Sequence, residues 1–340
     1  MELESIIEKK CLHLVKKALH FQASDVHMLP SKEGYQIYFR KFNRLVAAGE
    51  IPIDLGSKMI SHFKYQSVLD IGEKRRPQSG SFEYIENSEV IACRVSTLPS
   101  VSMLESLVIR LLPQNNVQTL DTIAFSPTSV KRLQSLAHFS QGIILFCGPT
   151  GCGKSTTMYS LLNYCSKQLS KHVISLEDPV ENNQQHLLQV QVNERSGVTY
   201  ASGLKAILRH SPDVIMIGEI RDKETAKIAI EAALTGHLVI STIHAKNSFG
   251  CLHRLIDLGI SDDELKQTIL GIVSQKLITR NDEAASTAAL YEILCEQNLL
   301  DSFNAIKGHD SFQMPLDETI HYQMIRGIRD EKIIQNAFTT

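Results

Sequence analysis

One stretch, Gly148-Pro-Thr-Gly-Cys-Gly-Lys-Ser155, constrains this chain more than any other. It matches G-x-x-x-x-G-K-[ST], follows the apolar run Gly142-Ile-Ile-Leu-Phe-Cys147 and precedes a helical pattern. Glycines in such a loop let successive backbone N–H groups turn inward around phosphate oxygens. Lys154 then reaches β- and γ-phosphates, Ser155 is placed to ligate Mg²⁺, and the following helix N-terminus adds partial positive charge. The nucleotide-contacting set read from this stretch is Gly148, Pro149, Thr150, Gly151, Cys152, Gly153, Lys154, Ser155 and Thr156.

A strand–loop–helix unit implies a parallel sheet, and the sequence around it alternates accordingly. Strands are expected at 142–147, 172–176, 213–217 and 238–243. Helices are expected after Lys154, near 200–210, at 223–234 and at 262–277, the last opened by a capping box of Ser261 and Glu264. The earlier part reads as α+β. Leu3, Ile6, Ile7, Leu14, Val15 and Ala18 recur at helical spacing, and Tyr35, Ile37 and Phe39 alternate as in a half-buried strand. A helix over 55–70, a turn-rich stretch at 76–80 and strands at 90–98 and 106–112 complete it. The polar break Pro113-Gln-Asn-Asn-Val-Gln118 sets the expected domains at 1–113 and 119–340, with 114–118 as linker.

Further polar groups sit where such a sheet places them at strand ends. Asp213-Val-Ile-Met-Ile-Gly-Glu219 is an apolar strand ending in an acid. Glu219 is therefore a candidate for the catalytic carboxylate near Mg²⁺ and the attacking water, or else a solvated acid opening the next helix. Glu177 and Asp178 end another strand before Pro179, as Mg²⁺ or nucleotide contacts or as turn acids. With Ser155 and Glu219 they form the candidate metal set. His237 and His244 flank the strand at 238–243, at what reads as the rim of the same sheet, with catalytic and structural roles both open. Arg94 and Arg110 interrupt apolar runs, and a half-buried guanidinium needs an anion. That anion is either a structural carboxylate or a nucleotide phosphate. Arg221 reads as pairing with Asp222 or Glu224.

Together these segments resemble the secretion and type IV pilus ATPase superfamily. Glu177-Asp-Pro-Val-Glu181 resembles its Asp box, the run from Gly203 to Asp222 its signature around the Walker B glutamate, and Ala233-Leu-Thr-Gly-His-Leu-Val-Ile-Ser-Thr-Ile-His244 its His box. Ala23-Ser-Asp-Val-His27 and Arg94-Val-Ser-Thr-Leu-Pro99 are similar to the family in the first domain. Within the superfamily the chain looks most like the competence-pilus assembly ATPases of Gram-positive bacteria. The resemblance implies a PAS-like α+β N-terminal domain followed by a RecA-like P-loop domain with a mostly parallel sheet. It implies ATP and Mg²⁺ as cofactors, a homohexameric ring peripheral on the cytoplasmic face of the cell membrane, a polytopic membrane platform protein as partner, and pilins as indirect partners. Glu219 would be the catalytic glutamate, His237 and His244 the phosphate-sensing histidines, and Arg94 and Arg110 the first-domain arginines reaching nucleotide. The four-cysteine zinc module of longer relatives has no counterpart between Thr279 and Ile293, so no zinc is expected.

Composition narrows the alternatives. The chain has 340 residues, is 43% hydrophobic and carries a net charge of -2, so no whole-molecule field favours nucleic acid. Aromatics are 6% with no Trp, which leaves no stacking groove to point at, and no direct nucleic-acid binding is expected. No signal peptide or membrane span is read, and seven cysteines without a C-x-x-C pair fit a reducing cytosol. The leading function is assembly of a competence pseudopilus for DNA uptake. The alternatives are pilus retraction, type II secretion, a nucleotide-gated scaffold and a RecA-like nucleic-acid motor.

Overall fold

The computed structural model describes residues 2–41, 44–86, 89–101, 104–113, 118–149, 151–184, 186–193, 196–282, 286–308 and 310–334. Thr150 and the expected linker residues 114–117 lie outside these. The chain divides into two compact units, Met1–Asn116 with Glu181–Asn183, and Val117–Val180 with Gln184–Thr340.

In the first unit, helices α1 (Glu2–His20) and α2 (Ile53–Gln66) accompany strands β1 (Asp25–Pro30), β2 (Tyr35–Lys41), β3 (Arg44–Ile51), β4 (Gln78–Glu86), β5 (Glu89–Pro99) and β6 (Glu105–Pro113). The strands form one antiparallel sheet in the order β3-β2-β1-β6-β5-β4. Cys11, Leu14, Val15 and Ala18 of α1 and Met59, Ile60 and Phe63 of α2 form one core with Val26, Met28, Ile37, Phe39, Cys93, Val95, Leu107 and Ile109. Alternate strand residues therefore point to the opposite face. Strands β1, β3 and β4 are absent from the sequence reading. β4 begins at Gln78, inside the stretch expected to be a turn, because its alternation is polar and only pairing with β5 along its whole length makes it a strand.

The second unit is built on a seven-stranded sheet, β13-β12-β7-β11-β10-β8-β9. Its strands are β7 (Gly142–Cys147), β8 (Val173–Glu177), β9 (Leu188–Gln191), β10 (Val214–Ile217), β11 (Leu238–Thr242), β12 (Ile269–Thr279) and β13 (Thr287–Cys295). Every neighbouring pair is parallel except β12 with β13. Alternation along β7 sends Ile143, Leu145 and Cys147 into one core and Ile144 and Phe146 into the other. The first core takes α6 (Tyr200–Ile207), α7 (Lys223–Leu234), α8 (Ser248–Asp257), α9 (Asp262–Thr268) and α10 (Glu296–Gly308). The second takes α3 (Leu120–Ile123), α4 (Pro127–Ala137) and α5 (Lys154–Lys167). A final helix, α11 (Ile320–Arg329), closes the chain's described part against β13 through Met324 and Leu290. The fold class is thus the expected one, an antiparallel α+β unit followed by a mostly parallel α/β unit.

One element is a correction. The helix expected over 262–277 stops at Thr268, and Ile269 onward is a strand. The Ser261–Glu264 capping box is present and starts a genuine helix. Leu265, Ile269, Ile272 and Val273 continue its spacing, which is why the pattern reads as helical. Yet Ile269, Ile272 and Val273 are β-branched, and burial between β7 and β13 decides for the strand.

Candidate nucleotide site

The C-terminal edge of the parallel strands is where ligands bind in open α/β sheets. β7 ends at Cys147, and the chain turns through Gly148 (φ 137°), Gly151 (φ 81°) and Gly153 (φ 87°) before α5 begins at Lys154. These dihedrals lie where side chains with a Cβ are strained, so glycine is required there. Lys154 Nζ donates to the carbonyls of Gly148 (2.8 Å) and Pro149 (2.9 Å) and lies 3.8 Å from Cys152 Sγ. Ser155 is half-buried and Thr156 exposed at the first turn of α5.

Beside the loop runs β12, which the sequence reading missed as a strand and so missed as part of the site. Gln275, 3% exposed, donates through Nε2 to the Cys152 carbonyl at 2.5 Å. Ser274 Oγ lies 2.9 Å from Cys147 Sγ. A Cβ on Gly153 would stand 3.1 Å from Gln275 Nε2 and 3.2 Å from Leu277, so the loop packs directly on this strand.

Cys152 departs from expectation. A thiol beside a helix N-terminus is expected to favour its thiolate. Here it is buried, and burial pushes its pKa above the ordinary value, outweighing the opposing charge of Lys154. The thiol is therefore protonated at neutral pH, and the thiolate fraction rises with pH. Alkylation by iodoacetamide should be slow near neutrality and accelerate about tenfold per pH unit below the pKa. Bound ATP should protect, as judged by mass mapping of the modified cysteine.

Glu219 follows Gly218 at the end of β10, with its side chain 15% exposed. Its Oε1 is paired with Arg221, not left free while Arg221 pairs with Asp222 or Glu224 as the sequence suggested. Asp222 is occupied as the N-cap of α7, accepting from Thr225 N at 2.8 Å, and Glu224 faces Lys205 at 3.3 Å. Glu219 Oε2 is buried with no hydrogen-bond partner among the described residues, and His244 Nε2 is 3.6 Å away. Tyr200 closes the same corner: its hydroxyl would be 3.0 Å from a Cβ on Gly218. Burial, then the charges of Glu219 and Asp178, push its pKa up.

The two remaining acids separate. Glu177 is 3% exposed, its Oε1 accepting from Ser175 Oγ (2.6 Å) and Gln189 Nε2 (3.0 Å) and its Oε2 from the Tyr159 hydroxyl. This carboxylate, one of the candidate metal set, accepts all three of these bonds from its own unit. Asp178, one residue on, is exposed. The histidines separate too. His244 stands at the C-terminal end of β11. His237 stands before its first residue, where its carbonyl accepts from Gly142 N at 3.1 Å and its Nδ1 meets the Ala232 carbonyl at 3.0 Å. A five-residue strand, roughly 17 Å, divides it from the phosphate loop's edge. His237 is therefore not at the same rim as the loop within one chain.

On the first unit's open sheet face, strand register aligns Arg40, Asp25, Arg110 and Arg94 in one row across β2, β1, β6 and β5. Asp25 is 3% exposed although it points away from the helices. Its Oδ1 accepts from Arg110 Nε at 2.8 Å, and its Oδ2 accepts from Ser24 Oγ at 2.8 Å and lies 3.8 Å from Arg40 Nε. Burial raises its pKa, but the bonds from Arg110 and Ser24 and the surrounding positive charge outweigh that and hold it below the ordinary value. One ionised carboxylate thus faces both Arg110 and Arg40. The sequence offered Arg110 a choice between a structural carboxylate and a phosphate; it has the carboxylate at Nε, and its side chain is still 55% exposed.

A sequence profile of the type II/IV secretion system proteins matches residues 2–313. The chain belongs to that family. It is 39% identical to the competence protein ComGA of Bacillus subtilis over 98% of this chain and 96% of the relative. It is 40% identical to the type II secretion system protein E of Dickeya dadantii over 78% of this chain, spanning 53% of that longer relative. Its fold matches the Legionella pneumophila ATPase DotB (TM-score 0.75, 20% identity, 95% of this chain and 92% of that one). It also matches the pilus retraction motor PilT with bound ADP (TM-score 0.70, 25% identity, 96% and 95%). Both support a RecA-like second unit. Among the described residues, no helix of this family member is long and apolar enough to cross a membrane.

Proposed function

We propose that this chain hydrolyses ATP and couples the turnover to assembly of a competence pseudopilus for DNA uptake. It works as a homohexameric ring on the cytoplasmic face of the cell membrane, against a polytopic platform protein that passes the movement to pilins. One observation carries the hydrolytic part: a buried carboxylate oxygen on Glu219, with no hydrogen-bond partner among the described residues, at the sheet edge that also carries the Lys154 loop. The competence assignment draws on the near full-length similarity to ComGA.

In this reading the glycines and Lys154 hold the β- and γ-phosphates. The half-buried Ser155 hydroxyl and the exposed Asp178 carboxylate are oxygen donors of the kind Mg²⁺ takes, which leaves Glu219 Oε2 for the attacking water. Held by these residues, such an ion would supply positive charge against the charge developing on the phosphates. Glu219 accepts the proton of the attacking water, Arg221 fixes the carboxylate's rotamer through the other oxygen, and His244 stands beside it to meet the phosphate. His237 acts on a different edge, as a structural end of α7 or toward a neighbouring copy.

The test is complementation. Introduced into a Gram-positive host deleted for its own competence ATPase, the chain should restore DNA uptake and surface pseudopili. Purified, it should turn over ATP in a Mg²⁺-dependent way as a ring visible by electron microscopy. Turnover without restored uptake would favour the retraction or secretion reading, to which PilT and the type II relatives point.

A further inference from the structure

We infer that Gln275 is the positioning residue of the phosphate loop, setting the peptide between Cys152 and Gly153 so that its N–H faces the β-phosphate. The inference rests on the proposed nucleotide site and adds to it a residue from a strand outside the phosphate-loop motif. A trans peptide is planar, with C=O and N–H pointing to opposite sides. Gln275 Nε2 anchors the Cys152 carbonyl on the β12 side at 2.5 Å, so the Gly153 N–H is turned away from β12. Gly153, left-handed and without a Cβ, permits the change of φ that turning this peptide over requires on its side. The loop alone therefore does not settle which way the N–H points; the amide on β12 does.

The setting suits a clamp more than a packing residue. Gln275 is 3% exposed on a strand otherwise dominated by Ile, Val and Leu. Its Oε1 is buried with no hydrogen-bond partner among the described residues, so a polar group is kept here at a cost that only the Nε2 bond to the loop offsets. Turning the amide over would set its oxygen against the Cys152 carbonyl, which fixes the assignment of the two ends. The clamp acts through backbone geometry and touches no reacting atom.

The experiment measures ADP and AMP affinity by calorimetry on the full chain, parent and two variants, with the melting temperature of each recorded without nucleotide. Gln275→Met keeps the volume and removes the donor. Gln275→Glu keeps the shape and donates only when protonated. Expected is a loss of about tenfold or more in ADP affinity for Gln275→Met, with AMP, which lacks the β-phosphate, changed less than about twofold. Gln275→Glu should bind ADP weakly near about pH 8 and regain affinity relative to the parent as pH falls toward about 5, because a buried carboxyl protonates in that range. ADP affinity equal to the parent's in both variants would overturn the inference alone, and so would equal losses for ADP and AMP. A parent chain with no ADP affinity would overturn the nucleotide reading and this inference with it.

Discussion

Glu219→Gln should keep ATP binding and lose turnover by roughly 10²–10⁴-fold, the worth of a positioned general base. The amide has the shape of the carboxylate but accepts no proton from water. The geometry makes the substitution clean. Oε1 is held by Arg221 and Oε2 has no hydrogen-bond partner among the described residues, so the amide oxygen can replace the first while the NH₂ replaces the second. The cost falls on chemistry and not on folding. Fluorescent-nucleotide titration should show affinity within about twofold of the parent, and phosphate release should fall to background. Normal turnover in this variant would remove Glu219 from the mechanism. Lys154→Ala should behave differently, losing binding as well, because its ammonium is the charge that lies against the loop. The contrast between the two variants separates binding from chemistry.

The double substitution Arg94→Ala with Arg110→Ala should cut turnover by about 10³–10⁵-fold while leaving the second unit folded, the range for arginines that neutralise charge at a transferring phosphate. The row Arg40, Asp25, Arg110 and Arg94 carries three guanidinium groups and one carboxylate, and Asp25 is held in its ionised form. Arg110 keeps a half-exposed side chain on the face turned away from the first unit's core, while Arg221 of the second unit is committed to Glu219. Steady-state turnover and circular dichroism of the double variant decide the matter. Full activity with intact structure would show that these arginines serve Asp25 and the sheet alone. Asp25→Asn should give an intermediate loss, since Arg110 would lose the charged partner that fixes its Nε.

Much of the second unit was legible because its signals are local. Gly142–Cys147 is apolar on both faces, and Lys223–Leu234 has an N-cap at Asp222 and a left-handed Gly236 just beyond its end. The helix-to-strand change at Ile269 was not legible. Local periodicity favours continuing α9, and only the slot between β7 and β13 favours the strand. The same limit hid β4, whose polar alternation has no meaning without β5.

What the residues determined by themselves is the glycine turn after β7 and the placing of Lys154, Ser155 and Glu219 at the sheet's edge. Loop conformation depends on the φ freedom of three glycines, and a carboxylate after an apolar strand lands at the sheet's edge however the strands are ordered. What only the tertiary structure decided is which groups share that edge. Strand direction put His244 on it and His237 at the opposite end of β11, although they flank the same strand in sequence. Strand order brought Gln275 onto Cys152 across 123 positions of chain, and register lined Asp25 up with Arg110 across 85. Those juxtapositions come from pairing between distant segments, whose register is chosen by the burial of whole sheet faces and leaves no mark in any short window of sequence.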